Sequence, residues 1–285
     1  MELRFNFAQE YEDYLTNSEF SKLTVDTYLM EIHVFFAWLN REYPTVEIYR
    51  VNRKIIDDFL QHELHIGKAI STVNKKVTAL KVYFDFLWNK GVIGLDPCAK
   101  LKRFEEKNSD TENYLNATDL SLLVDFMKNA SIFKDEFTYY RNMALVSLHL
   151  WGGLSVSEVC NIHWKDVVWQ SSGVLVGVPL GSVRWVELSI EEAFYLRTYF
   201  EMLGMNKETF VFQSRKGSKM SPRTVQFIFE GLTRKSGIRL YPQRLRNTFI
   251  IQKLKEGLSR DEVANLLGIE QVTLKDSIKK DLYAG

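Results

Sequence analysis

The stretch FTYYRNMALVSLHLWGG, residues 137 to 153, constrains the fold more than any other part of the chain. At helical spacing it is apolar on nearly every side, so it has no face to offer to water and must run through the middle of a domain. The two closing glycines suit the left-handed turn that ends a helix. A buried helix needs a shell, and the neighbouring sequence supplies one. ATDLSLLVDFMKN precedes it as a helix with Thr118 as its expected cap. GVLVGVPL and SVRWVELS follow as alternating runs, predicting a β-hairpin about Gly181-Ser182. Helices are expected again at IEEAFYLRTYFEML, SPRTVQFIFEGLTRKSG, RLRNTFIIQKLKEG and SRDEVANLLG, with a brief strand at TFVFQ.

The first third of the chain is helical by the same test. EYEDYLTNSEFSKLTVDTYLMEIHVFFAWLNREY reads as two helices with Ser21 or Thr24 as the intervening cap. VNRKIIDDFLQHEL is a third, capped at Val51-Asn52. STVNKKVTALKVYFDFLWNKG is a fourth, opened by Ser71 and Thr72 and closed by Gly91. Its apolar stripe, Val73, Val77, Leu80, Phe84 and Leu87, leaves Asn74, Lys75, Thr78 and Lys81 facing away. Periodicity then fails around EEKNSDTEN, which predicts a linker. The expected organisation is a helical domain over residues 1–107, a linker over 108–113 and a second domain over 114–285, mainly α with a small β-sheet.

At 285 residues and 46% hydrophobic content the chain can bury a real core. No apolar run reaches the roughly 20 residues of a membrane span, and the acidic start lacks a secretory pattern. A soluble, cytoplasmic protein is expected. Cys98 and Cys160 stand far apart without metal-ligand spacing, which predicts buried thiols, no disulfide and no metal. No nucleotide or metal cofactor is implied.

The formal net charge of +1 hides local imbalance. Between Ser214 and Arg246 nine basic residues face one acid, Glu230. A second acid-free stretch, Ile66 to Phe84, carries Lys68, Lys75, Lys76 and Lys81. A basic run alone is often a solvated helix face; two in different halves of a chain point to a polyanion.

With these elements in order, the chain resembles the tyrosine recombinase and phage integrase family, in particular its Xer-like members. TVDTYLMEIHVFFAWL and STVNKKVTALKVYFDFLWNKGVIGLDPCAKLK are similar to that family's N-terminal, SAM-like core-binding domain. YYRNMALVSLHLWGGLSVSEVCNIHWKDV, YPQRLRNTFIIQKLKEG and VANLLGIEQVTLKDSI fall where its catalytic-domain motifs belong. The resemblance implies a two-domain recombinase fold, an N-terminal helical domain and an α+β catalytic-type domain, closing on double-stranded DNA as a C-shaped clamp. It also implies a tyrosine that attacks a DNA phosphate, two arginines that hold the phosphate, a lysine and two histidine-type positions.

Matched position by position, these places hold Ser155 and Arg246 for the arginines, Pro179 for the lysine, Gln243 and Ile269 for the histidines and Ile278 for the tyrosine. Ser182 and Arg184 are imperfect substitutes for the lysine, and Tyr283 lies five residues beyond Ile278. Only Arg246 matches. Isoleucine can neither attack nor carry a proton, so the expectation is a chain that keeps the clamp, is not an enzyme and has no catalytic residues. Glu158 is expected to brace its turn, with Ser157 capping the following helix. Predicted DNA contacts in the first domain are Thr72, Asn74, Lys75, Lys76, Thr78 and Lys81. In the second they are Arg215, Lys216, Lys219, Ser221, Arg223, Thr224 and Gln226, together with Gln243, Arg244 and Arg246. SRDEVANLLGIEQVTLKDSIKK also scans as a helix-turn-helix about Gly268.

The function so implied is sequence-specific DNA binding, with transcriptional repression of the phage lysogeny type as the favoured role. A divergent active recombinase and an accessory partner of an active recombinase are the alternatives. The expected partner is double-stranded DNA, with a protein antagonist or a second protomer on DNA, and a monomer in solution.

Overall fold

The computed structural model describes residues 7–18, 20–105, 113–179, 183–204, 208–214, 216–269 and 274. The chain divides into two compact units, residues 1–109 and 110–285. Most of the expected linker lies outside the described residues.

The first unit contains helices α1 (Ala8–Asn17), α2 (Lys22–Glu42), α3 (Arg53–His65) and α4 (Ile70–Asn89). Ser21 caps α2 by accepting the Thr24 N–H, and Asn52 caps α3 by accepting the Ile55 N–H. The fourth helix starts earlier than its hydroxyl residues suggest: Ala69 is its N-cap, without a side-chain bond, and Ser71 and Thr72 lie inside the first turn. Phe35, Phe59, Tyr83 and Phe84 are fully buried and meet edge to face, with ring centroids 5.2 Å apart for Phe35–Phe59 and 5.5 Å for Tyr83–Phe84. Such rings contribute beyond their buried area.

One cation lies inside this core. Lys76 is 4% exposed, and its Nζ stands 2.5 Å from Glu31 Oε2 and 3.4 Å from Glu63 Oε2, both carboxylates being buried. Lys76 is thus not a DNA contact. Its charge placed it among the expected contacts, but at helical spacing it stands within one turn of Val73 and Leu80 on the apolar side, where two acids from α2 and α3 meet it.

In the second unit α5 (Ala117–Met127) is capped by Asn116 rather than Thr118. The apolar helix α6 (Glu136–Leu150) is the expected centre, buried at every position from Asn142 to Leu150. It packs against α8 (Ile190–Leu203) and α10 (Pro242–Lys255). Between them the chain forms α7 (Val156–Asn161) and a three-stranded antiparallel sheet, β1 (Val167–Gln170), β2 (Gly173–Val178) and β3 (Arg184–Ser189), in sequence order. The predicted hairpin is β2–β3, and its turn at 180–182 lies outside the described residues. The first strand, VVWQ, is not foreshadowed by the pattern: four residues are too few to show a period. TFVFQ forms no strand but contributes isolated bridges, His163 to Phe210 and Gln213 to Lys219. Helices α9 (Pro222–Ser236) and α11 (Arg260–Leu267) complete the unit. Gly268 ends α11 with φ 62°, but 270–273 and 275–285, which would hold the second helix of a helix-turn-helix, lie outside the described residues.

Cys98 and Cys160 are free and buried. No helix among the described residues is long and apolar enough to cross a membrane.

The buried triad makes a prediction. Lys76→Ala leaves Glu31 and Glu63 without their counter-charge and should destabilise the first unit by about 3 kcal/mol or more. Lys75→Ala, on the exposed side of the same helix, should change it by less than about 0.5 kcal/mol. Urea unfolding of both variants measures the contrast, and equal effects would contradict the buried assignment.

Candidate functional site

Gly152 and Gly153 end the central helix, and the second of them fixes the path of the chain beyond it. Gly153 has φ +61°, and a Cβ there would meet the Phe249 ring of α10 at 2.5 Å. Only glycine fits both the angle and the space. The chain then turns at Leu154 into α7, whose N-cap is Ser155, not Ser157. The Glu158 N–H donates to Ser155 Oγ at 3.3 Å, and the Ser155 N–H donates to Glu158 Oε2 at 2.6 Å, closing a capping box.

Glu158 does more than close that box. Arg246 of α10 donates from Nη1 to Oε2 at 2.8 Å, and Arg184 of β3 donates from Nη1 to Oε1. The three side chains are about nine-tenths buried. Burial opposes ionisation of Glu158, yet hydrogen bonds from Arg184 and Ser155 and the charge of Arg246 outweigh it and hold the carboxyl down at about 2. Arg246 itself is lowered by burial, against the pull of Glu158. Arg184 also donates from Nε to the Leu266 carbonyl at 2.8 Å, tying β3 to α11. Its Nη2 is buried and has no hydrogen-bond partner among the described residues.

His149, on the last turn of α6, lies beneath this turn, fully buried. Its Nδ1 is 2.7 Å from the Leu154 carbonyl; a carbonyl only accepts, so Nδ1 carries the ring proton and Nε2 is left without a partner among the described residues. Burial lowers its pKa to about 4, with the Arg246 charge adding to the effect.

The remaining predicted contacts separate into outward-facing and structural groups. Arg244 is structural: its guanidinium pairs with Asp119 at 2.8 Å and donates to the carbonyls of Arg239 and Tyr114, fastening α10 to α5. It is therefore not an exposed contact. Gln243, one turn before Arg246, is exposed and donates to Asn247 Oδ1 at 2.8 Å. Lys216, Lys219, Ser221, Arg223, Thr224 and Gln226 are all exposed where the chain enters α9. Ser221 caps that helix through the Thr224 N–H, and Arg223 stacks 4.5 Å over the Phe227 ring. Lys219 donates to Asn161 Oδ1 at 3.0 Å. Among the described residues none of these cations forms an ion pair. Arg215 lies outside the described residues.

On α4, Lys75 is exposed and Thr72 and Lys81 are half-buried. Asn74 does not face away freely; it exchanges two hydrogen bonds with the Phe104 backbone, at 3.0 and 2.8 Å. Thr78 accepts from Arg103 Nη2 at 3.2 Å. That pairing adds an exposed arginine to the Lys75–Lys81 face, and spacing within the helix gave no sign of it. Of the positions matched to the family's catalytic set, Ser155 and Arg246 meet at Glu158. Pro179 is exposed just after β2, Ile269 packs beside the Phe249 cluster, and Ile278 and Tyr283 lie outside the described residues. No cluster that could hold a metal ion occurs among the described residues.

Two domain families match along the chain: the phage integrase N-terminal, SAM-like domain over residues 8–91 and the phage integrase family over residues 113–274. The chain belongs to the phage integrase family of tyrosine recombinases. Tyrosine recombinase XerC of Thermodesulfovibrio yellowstonii is 26% identical, over 87% of this chain and 82% of its own. Tyrosine recombinase XerA of Pyrococcus horikoshii is 26% identical, over 92% and 85%. A lambda integrase dimer bound to a COC' core site shares the fold, with TM-score 0.72 at 18% identity over 98% and 96% of the two chains.

These relatives correct one expectation. The chain was expected to be no enzyme, but the relatives that match nearly its whole length are tyrosine recombinases. The count that put Ile278 at the nucleophile assumes a tail without insertions, and it ends on residues that are not described.

The buried imidazole gives this unit a distinctive acid response. In the unfolded chain the ring takes up its proton near 6.5, whereas in the folded chain it does so only near 4. Between those values the unfolded state binds the extra proton, so the stabilisation is complete above pH 6.5 and is lost as pH falls towards 4. The loss amounts to roughly 3 kcal/mol. In His149→Gln the slope over this window should flatten, whatever the absolute stability. Denaturant midpoints at several pH values measure it, and an unchanged slope would contradict the assignment.

Proposed function

We propose that this chain binds double-stranded DNA at specific sequences, with the head of α9 entering a groove and the Lys75–Lys81–Arg103 face of α4 holding phosphates. The observation that carries the reading is the unpaired cationic surface at α9. Lys216, Lys219 and Arg223 are exposed beside Ser221, Thr224 and Gln226, and no carboxylate among the described residues neutralises them. A protein that used these charges for its own stability would pair them, as it pairs Lys76 and Arg244. Arginine and glutamine on one helical turn also suit guanine and adenine edges in a major groove.

A grip of this kind has two uses. Occupation of an operator beside a promoter blocks transcription, the role of a lysogeny-type repressor. Strand exchange at a recognised site is the other, and the similarity to tyrosine recombinases XerC and XerA favours it.

Retention of genomic fragments by the purified chain tests the proposal. Discrete fragments should be held, with affinity falling steeply as salt rises. Arg223→Ala should cost about 1–3 kcal/mol and relax preference at one base pair. Lys219→Ala should weaken all sequences alike and reduce the salt slope by about 1. Heating retained complexes in denaturant then separates the two uses: a surviving protein–DNA adduct assigns strand exchange, while its absence together with repression of a linked reporter assigns operator occupation. Failure to retain any fragment would overturn the proposal.

A further inference from the structure

Helix α9 has two sides of opposite character. Val225, Phe229 and Leu232 are buried and seat it in the core of the second unit. Arg223, Gln226 and Phe227 lie on the outer side, all exposed, within the first two turns. A single phenylalanine in water needs no explanation by itself. This one is 54% exposed, and the Arg223 guanidinium stands over its ring with Cζ 4.5 Å from the centroid. Four residues apart on a helix, the two side chains share one face, and the stack holds the planar fork of the arginine in a set orientation. The arginine leaves much of the ring open to solvent. The neighbours of Phe227 on the outer side, Arg223, Gln226 and Glu230, are all polar or charged, so the ring is not the centre of an apolar patch of the kind that docks another protein.

The proposed function lays this face in a major groove, where the apolar group on display is the 5-methyl of thymine. Guanidinium and ring are 4.5 Å apart, near the roughly 3.4 Å between stacked bases, so the two side chains address neighbouring base pairs. We propose that Phe227 is a specificity-determining residue: its ring packs on the 5-methyl of a pyrimidine in the base pair next to the guanine that Arg223 grips. The inference rests on the DNA-binding reading and adds a second group to the code that α9 reads. Arg223 supplies hydrogen bonds to guanine, and Phe227 supplies an apolar contact that rewards a methylated pyrimidine beside it. Thymine carries that methyl, and so does 5-methylcytosine. Glu230, one turn further on, is repelled by phosphates and confines the reading to the head of the helix.

The probe is a duplex that the wild-type chain retains. Each guanine in it is replaced in turn by 7-deazaguanine, which lacks the N7 acceptor, and each thymine by uracil, which lacks only the methyl. Affinities are measured for the wild type, Arg223→Ala and Phe227→Ala. Arg223→Ala should lose the wild type's sensitivity at one guanine, which marks the step. In an adjacent base pair, uracil should weaken the wild type about fourfold, the contribution of one buried methyl group, and should leave Phe227→Ala unaffected. With cytosine in place of that thymine, adding the 5-methyl should restore about fourfold to the wild type alone; a response to thymine without one to 5-methylcytosine also supports the contact and names thymine as its ligand. Uracil that weakens the wild type and Phe227→Ala alike, or neither, would overturn the proposal, and an equal loss by Phe227→Ala on thymine and uracil duplexes would assign the ring to propping Arg223 alone. A wild type that retains no duplex defeats the DNA-binding reading and this proposal together, whereas a retained duplex indifferent to the methyl defeats this proposal alone.

Discussion

One carboxylate, that of Glu158, joins four parts of the second unit. It closes the cap of α7 through the Ser155 N–H, takes Arg246 from α10 and takes Arg184 from β3, which in turn holds the end of α11. A buried acid is expensive alone, and each of these donors lowers that cost while being fixed by it. The geometry that brings them together begins with Gly153, where a side chain would strike Phe249. A backbone constraint at one residue thus sets where two guanidiniums stand.

The same physics sorts the cations of the whole chain. Lys76, Arg244 and Arg246 are buried against acids and hold elements together. Lys216, Lys219 and Arg223 are exposed and unpaired among the described residues. A sequence mixes both sets within its basic stretches, and the formal charge of +1 conceals both. The paired set has its charge met by acids within the fold, whereas the other keeps its charge open to a polyanion.

Much of the architecture was legible because it rests on local pattern. The all-round apolar run at 137–153 had to be central, and α6 is. Ser21 and Asn52 cap the helices they precede because their oxygens reach the third residue on. Other readings failed where a choice was made at long range or between near equals. Thr118 lost the cap of α5 to Asn116 two residues earlier, and the hydroxyls at Ser71 and Thr72 were absorbed into a helix that starts at Ile70. Lys76 looked like its neighbour Lys75 until Glu31 and Glu63 arrived from other helices. Arg184 looked like a poor stand-in for a hairpin lysine, since nothing in a strand pattern tells that its guanidinium reaches Glu158. Counting positions against a family pattern led furthest astray, because it turned substituted residues into a statement about activity that the recombinase relatives do not support.

The most direct test of the Glu158 assembly is a carbon NMR titration of its carboxyl in the intact chain. Shared by two guanidiniums and a backbone N–H, it should titrate at about 2, well below the ordinary 4.5. A midpoint at 4.5 or above would mean that burial prevails and that Glu158 does not hold the two arginines together.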